Sequence, residues 1–212
     1  MTIDSIEFAN LLCSRLCHDL LSPVGALNNG LELLADETDP RMREQCLELL
    51  NESAKTSANK LKFFRLAFGA AGGYGEAVPT HELREAIEGM FASNKRVVVN
   101  WLVSEETLDK RAAKILLNIA LITGDALVRG GQLDIGAESR EGVIEIAVRG
   151  EGPRIILAPE LRAMLEQGQT EVTARSAAAF MVHRLVSDAS GSLMLSAADA
   201  PGLVIAASLT PA

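Results

Sequence analysis

The segment His18-Asp19-Leu20-Leu21-Ser22-Pro23 holds the residues best suited to do chemistry in this chain. An imidazole nitrogen is a good nucleophile near neutral pH. The apolar positions around it, Ala9, Cys13, Leu16, Leu20, Val24, Leu27, Leu31 and Leu34, recur at steps of three and four, which describes one stripe of a long amphipathic helix. His18 lies about 200° around that helix from Leu16 and Leu20 at roughly 100° per residue, so its ring is expected to face outward. Ser14, Arg15, Leu21, Ser22 and Gly25 share its face and leave it uncovered. Pro23 has no N–H for the carbonyl of Asp19, so the helix is expected to kink or loosen one turn beyond the histidine.

The elements that must carry this segment begin with two long helices. The first is expected from Asp4 or Ser5, either of which can cap it, to about Ala35. Asp36-Glu37-Thr38-Asp39-Pro40 breaks it, with Asp39 as the next cap and Pro40 in the first position of a second helix reaching about Ala70. The seam of that helix runs through Met42, Cys46, Leu49, Leu50, Leu61, Phe64 and Phe68. Helices of about 30 residues span roughly 45 Å and are too narrow to bury their seams as a lone pair. A homodimer closing an antiparallel four-helix bundle is the simplest solution, with the histidines outside.

Ala70-Ala-Gly-Gly-Tyr-Gly-Glu76 reads as a linker, because its glycines stop a helix and allow a hinge. It divides the chain into a helical hairpin, residues 1–71, and a second unit, residues 76–212. There, helices are expected at His81–Ala92, Leu108–Val128, Pro159–Glu166 and Thr173–Ala189. Strands are expected at Val97–Val103, Leu133–Ala137, Val143–Arg149, Leu193–Ala197 and Leu203–Leu209. The fold class is α + α/β: a hairpin, then an α/β sandwich whose mostly antiparallel sheet carries helices on one face.

Composition narrows the function. The 212 residues are 48% hydrophobic with net charge −8, and the absence of a Lys/Arg cluster argues against nucleic acid. The spaced set Lys55, Lys60, Lys62 and Arg65 reads as a solvated helix face. No apolar run is long enough to cross a bilayer, and MTIDSIEF lacks the pattern of a signal peptide, so a cytoplasmic protein without a membrane role is expected. Cys13, Cys17 and Cys46 lack the partners of a metal site and read as core or near-surface residues. His81 and His183 read as ordinary structural or surface residues, and Arg129-Gly130-Gly131-Gln132 as a helix stop and turn.

The segment at His18 resembles the phosphoacceptor H-box of two-component histidine kinases and histidine phosphotransferases: His, an acid, an aliphatic residue, two variable residues, then Pro. The resemblance implies that His18 carries a phosphoryl group on a ring nitrogen and that Asp19 orients the ring and accepts a proton from it. Ser22 occupies the place of a small polar residue common in relatives. Leu21 departs from the basic residue frequent in kinases, which favours an apolar docking surface.

The second unit resembles the ATP-binding (Bergerat) domain of histidine kinases, the GHKL family. Active relatives carry two Asn four residues apart on the long helix, the second holding magnesium; here Asn118 is followed by Ile122. Where an Asp reads adenine, Val148 precedes Arg149-Gly150-Glu151-Gly152. The phosphate-loop glycines, whose backbone approaches the phosphates, are replaced by Ser176-Ala177-Ala178-Ala179-Phe180. Three separate losses imply a domain that does not bind ATP.

Over nearly the whole chain the resemblance is to the alphaproteobacterial histidine phosphotransferases. It implies a dimer relaying phosphate from a hybrid kinase of the CckA type to response regulators of the CtrA and CpdR types. Receivers would dock around His18, Leu21, Ser22 and Gly25, with secondary contacts from the second unit. The chain would need no cofactor of its own, and Mg2+ would sit in the partner receiver's acidic pocket. Two rivals stand beside this reading: an active kinase core with divergent nucleotide motifs, and a non-catalytic dimeric scaffold.

Overall fold

The computed structural model describes residues 3–69, 77–168 and 171–210. The glycine-rich linker at 70–76 lies outside the described residues, and so does the domain cut expected there.

Helix α1 (Ser5–Asp36) runs through Pro23 without interruption. Asp4 takes the cap position but forms no side-chain cap. Helix α2 (Pro40–Ala67) starts as expected, Asp39 accepting from the N–H groups of Arg41 at 2.8 Å and Met42 at 3.1 Å. It ends three residues before the expected Ala70.

The two helices meet along a line rotated to one side of the expected stripe. Pro23 and Gly30 of α1 are buried against α2, whose buried positions include Cys46, Ser53 and Ser57. These residues are small, and a Cβ at Gly30 would come within 2.9 Å of the Leu50 side chain. Ser57 donates to the Ser53 carbonyl at 2.9 Å, which satisfies its hydroxyl inside the contact. The hairpin leaves half of the apolar stripe uncovered: Ala9 and Cys13 are exposed, as are Val24 at 45% and Leu31 at 57%, whereas Leu16, Leu20, Leu27 and Leu34 are half-buried. Met42, Leu49 and Leu61 of the expected α2 seam are exposed too.

The hairpin also packs on the second unit. Phe63, Phe64 and Ala67 join its core alongside Leu83 and Ile87, and Phe8 meets Phe180 edge to face at 5.1 Å. In this unit β1 (Ala77–Pro79) leads into α3 (Thr80–Phe91), then β2 (Val97–Trp101) and β3 (Thr107–Asp109). Next come α4 (Lys110–Ala126), β4 (Gly131–Arg140), β5 (Val143–Glu151), α5 (Pro159–Gln167), α6 (Ala177–Asp188), β6 (Ser192–Leu195) and β7 (Leu203–Leu209). The main sheet has the order β2-β4-β5-β7-β6, with only β2 and β4 parallel.

Alternation places the strands. Ile144, Ile146 and Val148 of β5 and Leu203, Ile205, Ala207 and Leu209 of β7 point into the core. Glu145, Ala147 and Arg149 face outward. Helix α4 lies under this face, with every residue from Ile115 to Gly124 buried. Gly124 is required there: an added Cβ would lie 2.2 Å from the Phe91 ring.

Some boundaries differ from expectation. The antiparallel pair β1 and β3 was not foreseen, since three residues each give no readable alternation. Helix α4 begins at Lys110 rather than Leu108, because Asp109 caps Arg111 and Ala112. Helix α6 begins at Ala177 rather than Thr173, because Thr173 and Ser176 exchange side-chain-to-backbone bonds that hold a turn. Among the described residues no helix is long and apolar enough to cross a membrane.

Candidate functional site

His18 stands midway along α1 with its side chain 84% exposed. Its Nδ1 lies 3.0 Å from Oδ1 of Asp19. A carboxylate only accepts, so Nδ1 carries the proton in this pair and Nε2 presents its lone pair to solvent. The outward face expected for the ring is the one observed.

Asp19 is only 13% exposed and is held from three sides. Oδ1 serves His18, and Oδ2 accepts from Nε of Arg15 at 2.7 Å. Its main-chain carbonyl, left without a partner by Pro23, accepts from Nζ of Lys60 on α2 at 2.8 Å. That bond accounts for a helix that continues where loosening was expected. It also corrects the reading of Lys60 as one of a solvated set.

Arg15 extends this arrangement into the second unit. Its Nη2 donates to Oδ2 of Asp125, near the end of α4, at 2.9 Å. Burial works against the guanidinium charge, but Asp125 and Asp19 outweigh it and hold the Arg15 pKa above its ordinary value. Arg15 is thus largely covered, 17% exposed, and is fixed to two carboxylates. Expected on the uncovered face beside His18, Arg15 is tied into the fold while still lining that face.

The other expected residues do form an open face. Leu21 is 70% exposed, Ser14 and Ser22 are exposed, and a Cβ added at Gly25 would meet nothing within 4 Å. A cavity of about 440 Å3 adjoins His18, lined by Ser14, Arg15, His18, Asp19, Ala174 and Arg175. The last two lie in the turn before α6. Ala174, Arg175 and Asp125 carry no local pattern that marks them and come to the site only through the fold.

The positions compared with a nucleotide site are closed. Asn118, Ile122, Val148, Ala177, Ala178 and Ala179 are all buried. Asn118 donates from Nδ2 to the carbonyls of Lys114 at 2.8 Å and Ala67 at 3.3 Å, tying α4 to the end of α2. Its Oδ1 has no partner among the described residues. His183 hydrogen-bonds through Nδ1 with the Leu165 carbonyl at 3.0 Å, and His81 lies exposed on α3. Cys13 and Cys17 are exposed and Cys46 is buried, all free thiols. Among the described residues no group of three or more His, Cys, Asp or Glu could hold a metal ion.

Residues 80–201 match the family model of the histidine phosphotransferase C-terminal domain. The protein phosphotransferase ChpT of Brucella abortus (strain 2308) is 34% identical over 160 residues, covering 76% of this chain and 75% of that protein. A solved bacterial phosphotransferase superposes with a TM-score of 0.84 at 30% identity, covering 98% of each chain. The chain, a hairpin bearing an exposed histidine on an α/β sandwich, belongs to the histidine phosphotransferase family and is a phosphotransferase.

Proposed function

We propose that the chain takes a phosphoryl group from a receiver-domain aspartate of a hybrid kinase onto Nε2 of His18 and passes it to the aspartate of a response regulator. The observation that carries this reading is the exposed His18 ring, held by Asp19 so that Nε2 points away from the protein. The Nε2 lone pair attacks phosphorus, an N–P bond forms, and the bond from phosphorus to the donor carboxylate oxygen breaks with its electron pair leaving on that oxygen. The ring becomes cationic in this step, and the Asp19 carboxylate on Nδ1 offsets that charge. Onward transfer reverses the sequence with a new aspartate as nucleophile. Alignment and charge stabilisation supply most of the catalysis in such transfers.

Ser22 and the open face of Ser14, Leu21 and Gly25 offer a receiver a small, partly apolar docking surface. Mg2+ belongs to the receiver's acidic pocket in this scheme. The chain does not bind ATP: Ile122, Val148 and the alanines of α6 stand where the magnesium ligand, the adenine-reading acid and the phosphate-loop glycines are expected, and their burial in the core supports the reading. The exposed stripe through Val24 and Leu31 supports a homodimer closing a four-helix bundle. By the resemblance to alphaproteobacterial histidine phosphotransferases, we assign the donor to a hybrid kinase of the CckA type and the acceptors to regulators of the CtrA and CpdR types, in the cytoplasm.

Label transfer tests the scheme. Phosphate from labelled ATP reaches the wild-type chain only when an autophosphorylating hybrid kinase and its receiver are present, and never reaches His18→Ala. Label taken directly from ATP would make the chain a kinase. No label under any condition would favour a scaffold.

A further inference from the structure

We propose that Asp125 of the ATPase-like unit is a positioning residue for phosphoryl transfer, acting through Arg15 to keep one oxygen of Asp19 free for His18. This rests on His18 being the phosphoacceptor. The physical reason lies in the shape of a guanidinium. Its Nε–H and Nη2–H groups are parallel and match the two oxygens of a single carboxylate in a bidentate fork. Left with Asp19 alone, Arg15 would favour that fork, and the ring of His18 would have to compete for Oδ1.

The observed arrangement splits the fork. Nε of Arg15 bonds Oδ2 of Asp19, whereas Nη2 turns to Oδ2 of Asp125. Oδ1 of Asp19 therefore remains for Nδ1 of His18. Asp125 can hold the guanidinium because its own place is fixed: Gly124 and Ala126 on either side are buried, and Gly124 lies against the Phe91 ring. An acid in the last turn of α4 also opposes the helix dipole. A locally unfavourable choice of this kind is expected where a residue serves a site. A domain that has lost its nucleotide residues thus acquires a second use, as the anchor that sets the tautomer of a histidine on another helix.

The test uses the full-length chain and a phosphorylated receiver domain as donor. Asp125→Ala is expected to slow transfer to His18 on the order of tenfold while leaving half-saturation by the receiver unchanged. Asp125→Asn, whose amide oxygen can still accept from Nη2, recovers part of the rate. In an Asp19→Ala background, Asp125→Ala has no further effect, because the path runs through Asp19. Nitrogen-15 NMR of His18 reads the same link with no donor present: the wild type holds its proton on Nδ1, and Asp125→Ala raises the fraction held on Nε2. An unchanged tautomer in Asp125→Ala, or an equal loss of rate with and without Asp19, would overturn the proposal. Wild-type protein that takes no label would instead count against the His18 reading itself.

Discussion

Nζ of Lys60 donates at 2.8 Å to the main-chain carbonyl of Asp19, the interior carbonyl of α1 that Pro23 leaves without a helical partner. The proline and the lysine therefore work as a pair. One opens the helix ladder beside the phosphoacceptor, and the other closes it from α2. Lys60→Met should destabilise the fold by about 1–3 kcal/mol, the cost of a partly buried carbonyl losing a charged donor. Adding Pro23→Ala to that variant should recover much of the loss, since the new N–H bonds the same carbonyl. Urea unfolding of the single and double variants checks both statements; an additive or greater loss in the double variant would mean that Lys60 acts elsewhere.

Restoring a nucleotide-site acid should harm the protein rather than revive it. Val148 is fully buried in the core between β5 and α4. Val148→Asp places a carboxyl there without a partner, at a cost on the order of 2–5 kcal/mol. Calorimetric titration of the wild type with Mg-ATP should give no binding heat, and Val148→Asp should lower the thermal midpoint without producing any.

The exposed stripe of α1 predicts the oligomeric state. Light scattering at micromolar concentration should give twice the chain mass. Leu31→Glu, which sets a charge on a residue already 57% exposed in the single chain, should leave the protomer folded by circular dichroism and shift the mass towards the monomer. A wild-type monomer would remove the four-helix bundle from the account.

What the sequence revealed follows from how far apart the interacting residues lie. His18, Asp19 and Pro23 fall within two helical turns, so the outward face of the ring was readable from spacing, and the H-box resemblance supplied the pairing of His18 with Asp19. The core strands β5 and β7 were readable because alternate residues carry Ile, Val and Leu. The bonds that complete the site were not, because Lys60 and Asp19 are 41 residues apart and Arg15 and Asp125 are 110 apart. Nothing in the local pattern of either partner records the other. The apolar stripe was readable, but the contact within the hairpin was not, since the hairpin closes on Pro23, Gly30, Ser53 and Ser57, whose small size carries no hydrophobic signal.

The most direct measurement of the central claim is the location of the phosphoryl group after transfer. The wild-type chain is incubated with a phosphorylated receiver domain in the absence of nucleotide, kept at alkaline pH where a phosphoramidate survives, and sequenced by tandem mass spectrometry. The account predicts a single phosphorylated peptide with the group on His18, lost on brief acid treatment and absent from His18→Ala. Phosphate found on another residue, or a phosphorylated His18→Ala chain, would contradict it.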